Sequence, residues 1–186
     1  MNKKTKKMSD KEAYELVSAE RKLTIFHEAG HAVIGHMHGH KINYIEVHSY
    51  YEEDGTKPRV EYSEISCSDS ERAMVIMAGT IAEGLCDRSI ERRNMGENSD
   101  GEKLKDLARF WKDDALYELR RKTMQLLSRE DVARAINDLV DVLDIHQTYE
   151  EPLDGKTAHK IIRNALEDNS DRKAFLAEVT GQEVEE

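Results

Sequence analysis

Apolar residues recur every three or four positions near the start of the chain, which places their side chains on one side of a helix. They are Leu16, Ala19, Leu23, Phe26, Gly30 and Val33. Ser9 and Glu12 form a capping box and Gly39 is a stop signal, so the pattern predicts a helix from about residue 10 to 38. A mid-helix glycine costs about 1 kcal/mol relative to alanine, and Gly30 therefore predicts close backbone packing at its turn.

Alternating β-branched and aromatic residues predict a β-hairpin after this helix. The first strand is expected from Lys41 to Tyr51, Asp54-Gly55 is a turn signal, and Arg59 to Tyr62 can return as the partner strand. Because proline cannot donate a ladder hydrogen bond, Pro58 predicts that the return strand starts late or lies at a sheet edge.

The rest of the chain has the pattern of helices. Ser68 and Glu71 form a second capping box before a helix that is apolar on most of its circumference, which we expect in the core. The other predicted features are a loop over 87–97, a helix capped by Asn98 or Ser99 and extending to Ala115, a helix capped by Ser128, a break over 152–155, and a closing pair of helices.

Composition favours one acidic domain. The 186 residues suffice for a domain with a sizeable core, and we expect it over residues 9–180, with a disordered basic tail over 1–8 and an acidic tail over 181–186. The net charge of −10 argues against nucleic acid or an anionic membrane as a partner. No stretch approaches the roughly 20 apolar residues of a membrane span. Two cysteines are too few for a disulfide framework, so a cytoplasmic protein is expected.

Candidate chemistry lies within the first helix, in the run His27-Glu28-Ala29-Gly30-His31. Its two histidines are one turn apart on the same face, so their imidazoles can bind one cation, and Glu28 can reach a water bound to that cation. Zn²⁺ is the expected metal, although imidazole also suits Fe and Ni. The pattern is typical of a zinc hydrolase, the alternative being a solvated helix face with two unrelated histidines.

A catalytic zinc site uses three protein ligands, so a third ligand must come from elsewhere in the chain. The metzincin extension is excluded, because its glycine and histidine positions hold Ile34 and Met37 here. Three more histidines follow, namely His36, His38 and His40. On a continuing helix His38 lies about 10 Å beyond His31, so we expect these three to face solvent or the rim of the site. A carboxylate from a later helix remains, either Glu83 or Asp100.

Three motifs in order resemble the peptidase domain of the FtsH family of AAA metalloproteases. They are His27-Glu28-Ala29-Gly30-His31-Ala32-Val33, Ala78-Gly79-Thr80-Ile81-Ala82-Glu83, and Gly96-Glu97-Asn98-Ser99-Asp100. Leu107-Ala108-Arg109 and Leu153-Asp154-Gly155 are similar to later family segments, so the resemblance spans about residues 20–165.

The resemblance implies a mainly α, zincin-like fold with a small sheet, in which residues 9–115 hold the metal site and 116–180 are a helical part. It implies one Zn²⁺ per chain, bound by His27, His31 and Asp100, with Glu28 as the general base. Glu83 would orient a ligand histidine, and Glu83 as the third ligand itself is the alternative. Relatives form hexameric rings, so a homo-oligomer is possible here, although monomer and dimer are equally compatible with the sequence.

The chain also departs from that family. It has no Walker A sequence and no ATPase module, so we expect an ATP-independent endopeptidase that acts on peptides or unfolded protein segments. An extended substrate can add as a strand to the predicted hairpin. One alternative is a non-catalytic or regulatory binding module on the same fold. Another is a protease that cleaves one regulator, as anti-repressor proteases with the same five-residue motif do.

Overall fold

The computed structural model describes residues 10–47, 58–64, 67–86, 99–109, 111–146, 151–167, 175, 176 and 179. Within them the chain is mainly helical with a small antiparallel sheet, which confirms that part of the predicted fold class. The elements are α1 (Asp10–Met37), β1 (Lys41–Glu46), β2 (Arg59–Glu64), α2 (Asp69–Cys86), α3 (Ser99–Leu107), α4 (Asp113–Leu127), α5 (Glu130–His146), β3 (Leu153–Asp154) and α6 (Gly155–Leu166). The predicted tails, the turn at 54–55 and the loop over 87–97 lie outside the described residues.

Helices α1 and α2 pack closely because a glycine faces the contact. A Cβ atom on Gly30 would lie 2.7 Å from the carbonyl oxygen of Ala78 and 2.8 Å from the Cβ atom of Ala82. Ala29, Ala78 and Ala82 are buried around the same turn. The close packing predicted from Gly30 is therefore confirmed.

The predicted capping box at the start of α2 is also confirmed. The backbone N–H and hydroxyl of Ser68 donate to Oε2 of Glu71 at 2.8 and 2.7 Å. The backbone N–H of Glu71 donates to the Ser68 hydroxyl at 3.3 Å. These bonds satisfy donors that a helix start leaves free, and they fix where α2 begins.

The sheet has the strand order β2-β1-β3, and each neighbouring pair is antiparallel. β2 begins directly after Pro58 and is an edge strand of the described sheet, as the proline predicted. The predicted break over 152–155 contains the short strand β3, which pairs Leu153 with Ile45 and Asp154 with Tyr44. A two-residue strand has too little pattern to be recognised in a sequence.

Two predicted helix boundaries are wrong. The helix expected from residue 98 or 99 to 115 is two helices, because α3 ends at Leu107 and α4 begins at Asp113. A turn separates them, in which the N–H of Trp111 donates to the carbonyl oxygen of Ala108 at 2.9 Å. Both helices contact α2.

Ser128 ends α4 rather than capping α5. Its hydroxyl donates back to the carbonyl oxygen of Met124 at 2.7 Å, so it satisfies a free acceptor of the preceding helix. Helix α5 begins two residues later at Glu130. No helix among the described residues is long and apolar enough to cross a membrane.

Candidate metal centre

Helix α1 brings the two motif histidines together at its buried side. The rings of His27 and His31 meet edge to face, with centroids 4.5 Å apart and Nε2 atoms 2.9 Å apart. Both side chains are about one-eighth exposed. The helical spacing thus places two imidazole nitrogens at one point, as the sequence predicted.

A second protein partner holds each ring through its other nitrogen. Nδ1 of His31 donates to the carbonyl oxygen of Val75 at 2.7 Å. Nδ1 of His27 lies 2.6 Å from Oε1 of Glu83, and the carboxylate accepts this hydrogen bond. A metal-binding histidine usually has such a partner, which leaves the opposite nitrogen free for the metal. Glu83 lies on the Nδ1 side of His27, away from the point where the Nε2 atoms meet.

The third group comes from the first turn of α3. Oδ2 of Asp100 lies 3.0 Å from Nε2 of His27 and 3.0 Å from Nε2 of His31. Its other oxygen, Oδ1, accepts a hydrogen bond from Nζ of Lys103 at 2.9 Å. A helix N-terminus also favours a carboxylate. The structure therefore brings together all three residues that the resemblance implied as ligands.

The three atoms lie close to the separations found around a small divalent cation. They form a nearly equilateral triangle, with sides of 2.9, 3.0 and 3.0 Å. In a tetrahedral zinc site with bonds of about 2.0 Å, ligand atoms lie about 3.3 Å apart. Among the described residues this is the group of histidine and acidic side chains that could hold a metal ion. Donor types and spacing both fit zinc.

A glycine on α2 leaves room for the two rings. A Cβ atom on Gly79 would lie 2.6 Å from Nε2 of His31 and 2.7 Å from Nε2 of His27. Any larger side chain would therefore occupy the place where the two Nε2 atoms meet. Gly79 belongs to the second of the three motifs, but this role was not predictable from the sequence, because it depends on the packing of α1 against α2.

The two carboxylates also shift the protonation of the centre. Burial by itself lowers the pKa of His27, but hydrogen bonds to Asp100 and Glu83 outweigh it and raise that pKa to about 10. Burial opposes ionisation of Asp100, yet its hydrogen bonds with the two histidines hold its pKa far below the usual range. Without metal, the carboxylates thus retain a proton on His27, and a divalent cation would displace that proton on binding.

Glu28 lies beside the triangle in the wall of a cavity of about 270 Å³, which His27, His31 and Asp100 also line. The residue is only 6% exposed. Burial raises the pKa of its carboxyl group, and the neighbouring His31 and His27 partly offset that rise. Within the described part of the chain its carboxylate accepts no hydrogen bond. Glu28 is therefore a free, buried base next to the candidate metal site.

His36, His38 and His40, the three histidines that follow the motif, are not part of the triangle. His36 contacts His159, with their Nδ1 atoms 2.6 Å apart, and His38 lies 3.5 Å from Glu71. His40 is 2% exposed and therefore does not face solvent, but it lines the cavity beside the centre, which agrees with the other predicted position at the rim of the site. The turn at Gly39 reverses the chain, and the His40 N–H donates to the carbonyl oxygen of Gly35 at 2.9 Å, which carries this residue inward.

Comparison with known proteins adds no relative to this description. No family model matches the chain, and no curated protein matches it significantly. The geometry of the centre is therefore the basis on which a function can be proposed, beside the three motifs.

Proposed function

We propose that this protein is a zinc-dependent endopeptidase that cleaves peptides or unfolded protein segments without ATP. The observation that carries the proposal is the convergence of Nε2 of His27, Nε2 of His31 and Oδ2 of Asp100 beside the buried carboxylate of Glu28. Two histidines, one carboxylate and an adjacent free base are the components of a hydrolytic zinc site.

Zinc bound by these three residues would polarise the scissile carbonyl group and lower the pKa of the attacking water from 15.7 towards about 7. Glu28 accepts a proton from that water as the new C–O bond forms. The same carboxyl group then delivers the proton to the amine nitrogen as the C–N bond breaks. The raised pKa of Glu28 suits both transfers, because a group that ionises nearer neutral pH can accept and return a proton.

Glu83 is assigned an orienting role in this proposal. Its carboxylate holds Nδ1 of His27 at 2.6 Å and so directs Nε2 of the same ring towards Asp100. The alternative in which Glu83 is the third ligand is less well supported, because that carboxylate lies on the opposite edge of the ring. Removing it should loosen the ring without removing a ligand.

Strand β2 offers a binding surface for an extended substrate. Pro58, Arg59, Val60 and Tyr62 line the same cavity as the metal centre. Among the described strands β2 pairs only with β1, so its other edge can accept a further strand. Backbone hydrogen bonds of this kind bind peptides with little dependence on sequence, which accords with a protease for unfolded segments.

Replacing the general base tests the proposal. We expect Glu28→Gln to keep its zinc and to lose about 10²- to 10⁴-fold in hydrolysis rate, because the amide cannot accept a proton. Hydrolysis of an unfolded, carboxymethylated protein by zinc-loaded enzyme is followed by mass spectrometry. Glu102→Gln makes the same change at an exposed residue of α3 and should leave the rate unaltered. Full activity in Glu28→Gln would refute the mechanism, and no products from zinc-loaded wild type would favour the binding-module alternative.

A further inference from the structure

Charged side chains of both signs line the cavity at the metal centre. The cations are Arg59, Arg72 and Lys103, and the carboxylates are those of Glu28 and Asp100. In a chain whose net charge is −10, a cation at this cavity that no protein carboxylate neutralises would attract an anionic ligand.

Two of these cations already have protein partners. Arg59 donates from Nη2 to the Tyr44 hydroxyl at 2.6 Å, and its Nε lies 3.3 Å from Oε2 of Glu46. Lys103 pairs with the candidate metal ligand Asp100 at 2.9 Å. Both side chains are therefore held in place by the protein itself.

Arg72 has no such partner. It lies on the exposed side of α2, and within the described residues its guanidinium forms no hydrogen bond or ion pair. A guanidinium presents parallel N–H groups that match the two oxygens of a carboxylate. Arg72 is thus a cation at the cavity that remains available to a ligand.

His40 supplies a second, independent indication of a ligand. The residue is 2% exposed, yet neither ring nitrogen has a hydrogen-bond partner among the described residues. Its ring packs edge to face on Tyr62, with centroids 5.1 Å apart, in the wall of the same cavity. A buried polar group without a partner is unfavourable, and a small shift of this ring towards the cavity would let a bound anion accept a hydrogen bond from its N–H.

We propose that Arg72 and His40 form a carboxylate-binding subsite beside the metal centre. Preferred substrates are then peptides with an acidic side chain or a free C-terminal carboxylate near the scissile bond. The inference that the ligand is a peptide rests on the proposed peptidase function, but the subsite itself can be tested without hydrolysis.

The test uses zinc-loaded Glu28→Gln protein, in which bound peptides persist. Immobilised protein is offered four degenerate decapeptide pools, in which the central residue is Glu or Gln and the C-terminus is a free acid or an amide. Retained peptides are quantified by mass spectrometry. We expect about five- to tenfold enrichment of a carboxylate pool over its amide counterpart. The Glu–Gln comparison reports a side-chain carboxylate, and the acid–amide comparison reports the terminus.

Adding Arg72→Gln should abolish the enrichment, whereas Arg121→Gln removes the same charge from α4, outside the cavity, and should preserve it. Equal retention of all four pools, including no retention of any, would overturn the subsite, as would an enrichment that survives Arg72→Gln. If the enrichment appears but wild-type protein hydrolyses nothing, the peptidase proposal fails and the subsite stands. If hydrolysis occurs without enrichment, only the subsite fails.

Discussion

At the residue scale, the partners of the imidazole Nδ1 atoms determine what the centre can bind. Glu83 and the carbonyl oxygen of Val75 each accept a hydrogen bond from one ring, so the Nε2 atoms are directed towards Asp100. A single missing partner would let a ring rotate away and would weaken the set of three. The acceptors therefore affect how tightly the centre can bind a metal, whereas the histidines and Asp100 supply the ligand atoms.

Adding a methyl group at Gly79 should weaken zinc binding. In Gly79→Ala the new Cβ atom would lie within 2.7 Å of both Nε2 atoms, and we expect about a 10- to 100-fold loss of zinc affinity. Gly84→Ala is the matched control on the same helix, because no atom lies within 4 Å of the added group. Competition with a chromophoric chelator measures both variants. Equal affinities would contradict the proposed location of the metal.

Only part of this centre follows from the sequence. The pairing of His27 with His31 follows from helical spacing. Asp100 lies far along the chain from both, and the residues alone left it open beside Glu83, so that only the family resemblance favoured Asp100 as the third ligand. For His40 the sequence left open whether it faces solvent or the rim of the site, and the contact of His36 with His159 was not predicted at all. These features depend on tertiary packing, about which local periodicity carries no information.

At the scale of elements, local signals predicted boundaries where side chains bond to nearby backbone. The Ser68–Glu71 box is such a case, because its hydrogen bonds lie within four residues. The division of α3 from α4 was missed, since the apolar pattern continues through Trp111 while the chain turns. Tertiary packing against α2 outweighs helix propensity there.

A pair of histidines joins α1, β1 and α6. Nε2 of His159 accepts a hydrogen bond from the N–H of Ile42 at 3.0 Å, so the His159 proton resides on Nδ1. That Nδ1 donates to Nδ1 of His36 at 2.6 Å. This pair of hydrogen bonds thus requires both imidazole rings to be neutral.

Acid should weaken the hydrogen bond between His36 and His159. Burial, with a smaller effect from His159 and Arg163, lowers the pKa of His36 to about 4, against about 6.5 when unfolded. Between pH 4 and 6.5 the unfolded chain therefore binds more protons than the folded chain. The contribution of neutral His36 to the free energy of unfolding is thus present above pH 6.5 and is lost as the pH falls towards 4. We expect His36→Asn to take up about one proton fewer on unfolding near pH 5. Urea unfolding of wild type and His36→Asn in excess chelator, at pH 7.5 and 5.0, measures how much free energy of unfolding each protein loses on acidification. An equal loss in both proteins would contradict this role of His36.

At the scale of the whole molecule, the candidate metal centre links the first helix to the third. His27 and His31 lie on α1, and Asp100 lies on α3. Gly79 of α2 lies directly beside the two imidazole rings. A metal that binds this arrangement and not the unfolded chain stabilises the fold by mass action. The mainly helical fold with its small sheet was predictable from sequence, whereas the zincin-like fold, the cytoplasmic location and the oligomeric state stay predictions.

Metal removal should therefore lower thermal stability. At free zinc about 100 times the Kd, bound metal contributes about 2.7 kcal/mol, which a chelator would remove. Thermal unfolding with and without chelator should show a lower Tm for wild type without metal. Asp100→Ala should show little change, because it lacks one of the three ligands. An equal chelator effect in both proteins would indicate that the stabilising metal binds elsewhere.

The central claim is that His27, His31 and Asp100 bind one zinc ion. Elemental analysis of purified wild type, Asp100→Ala and Glu83→Ala tests it most directly. We predict about one zinc per chain in wild type, loss of zinc in Asp100→Ala, and retention in Glu83→Ala, in which all three ligands remain. Absence of zinc from wild type after reconstitution, or full retention in Asp100→Ala, would contradict the account.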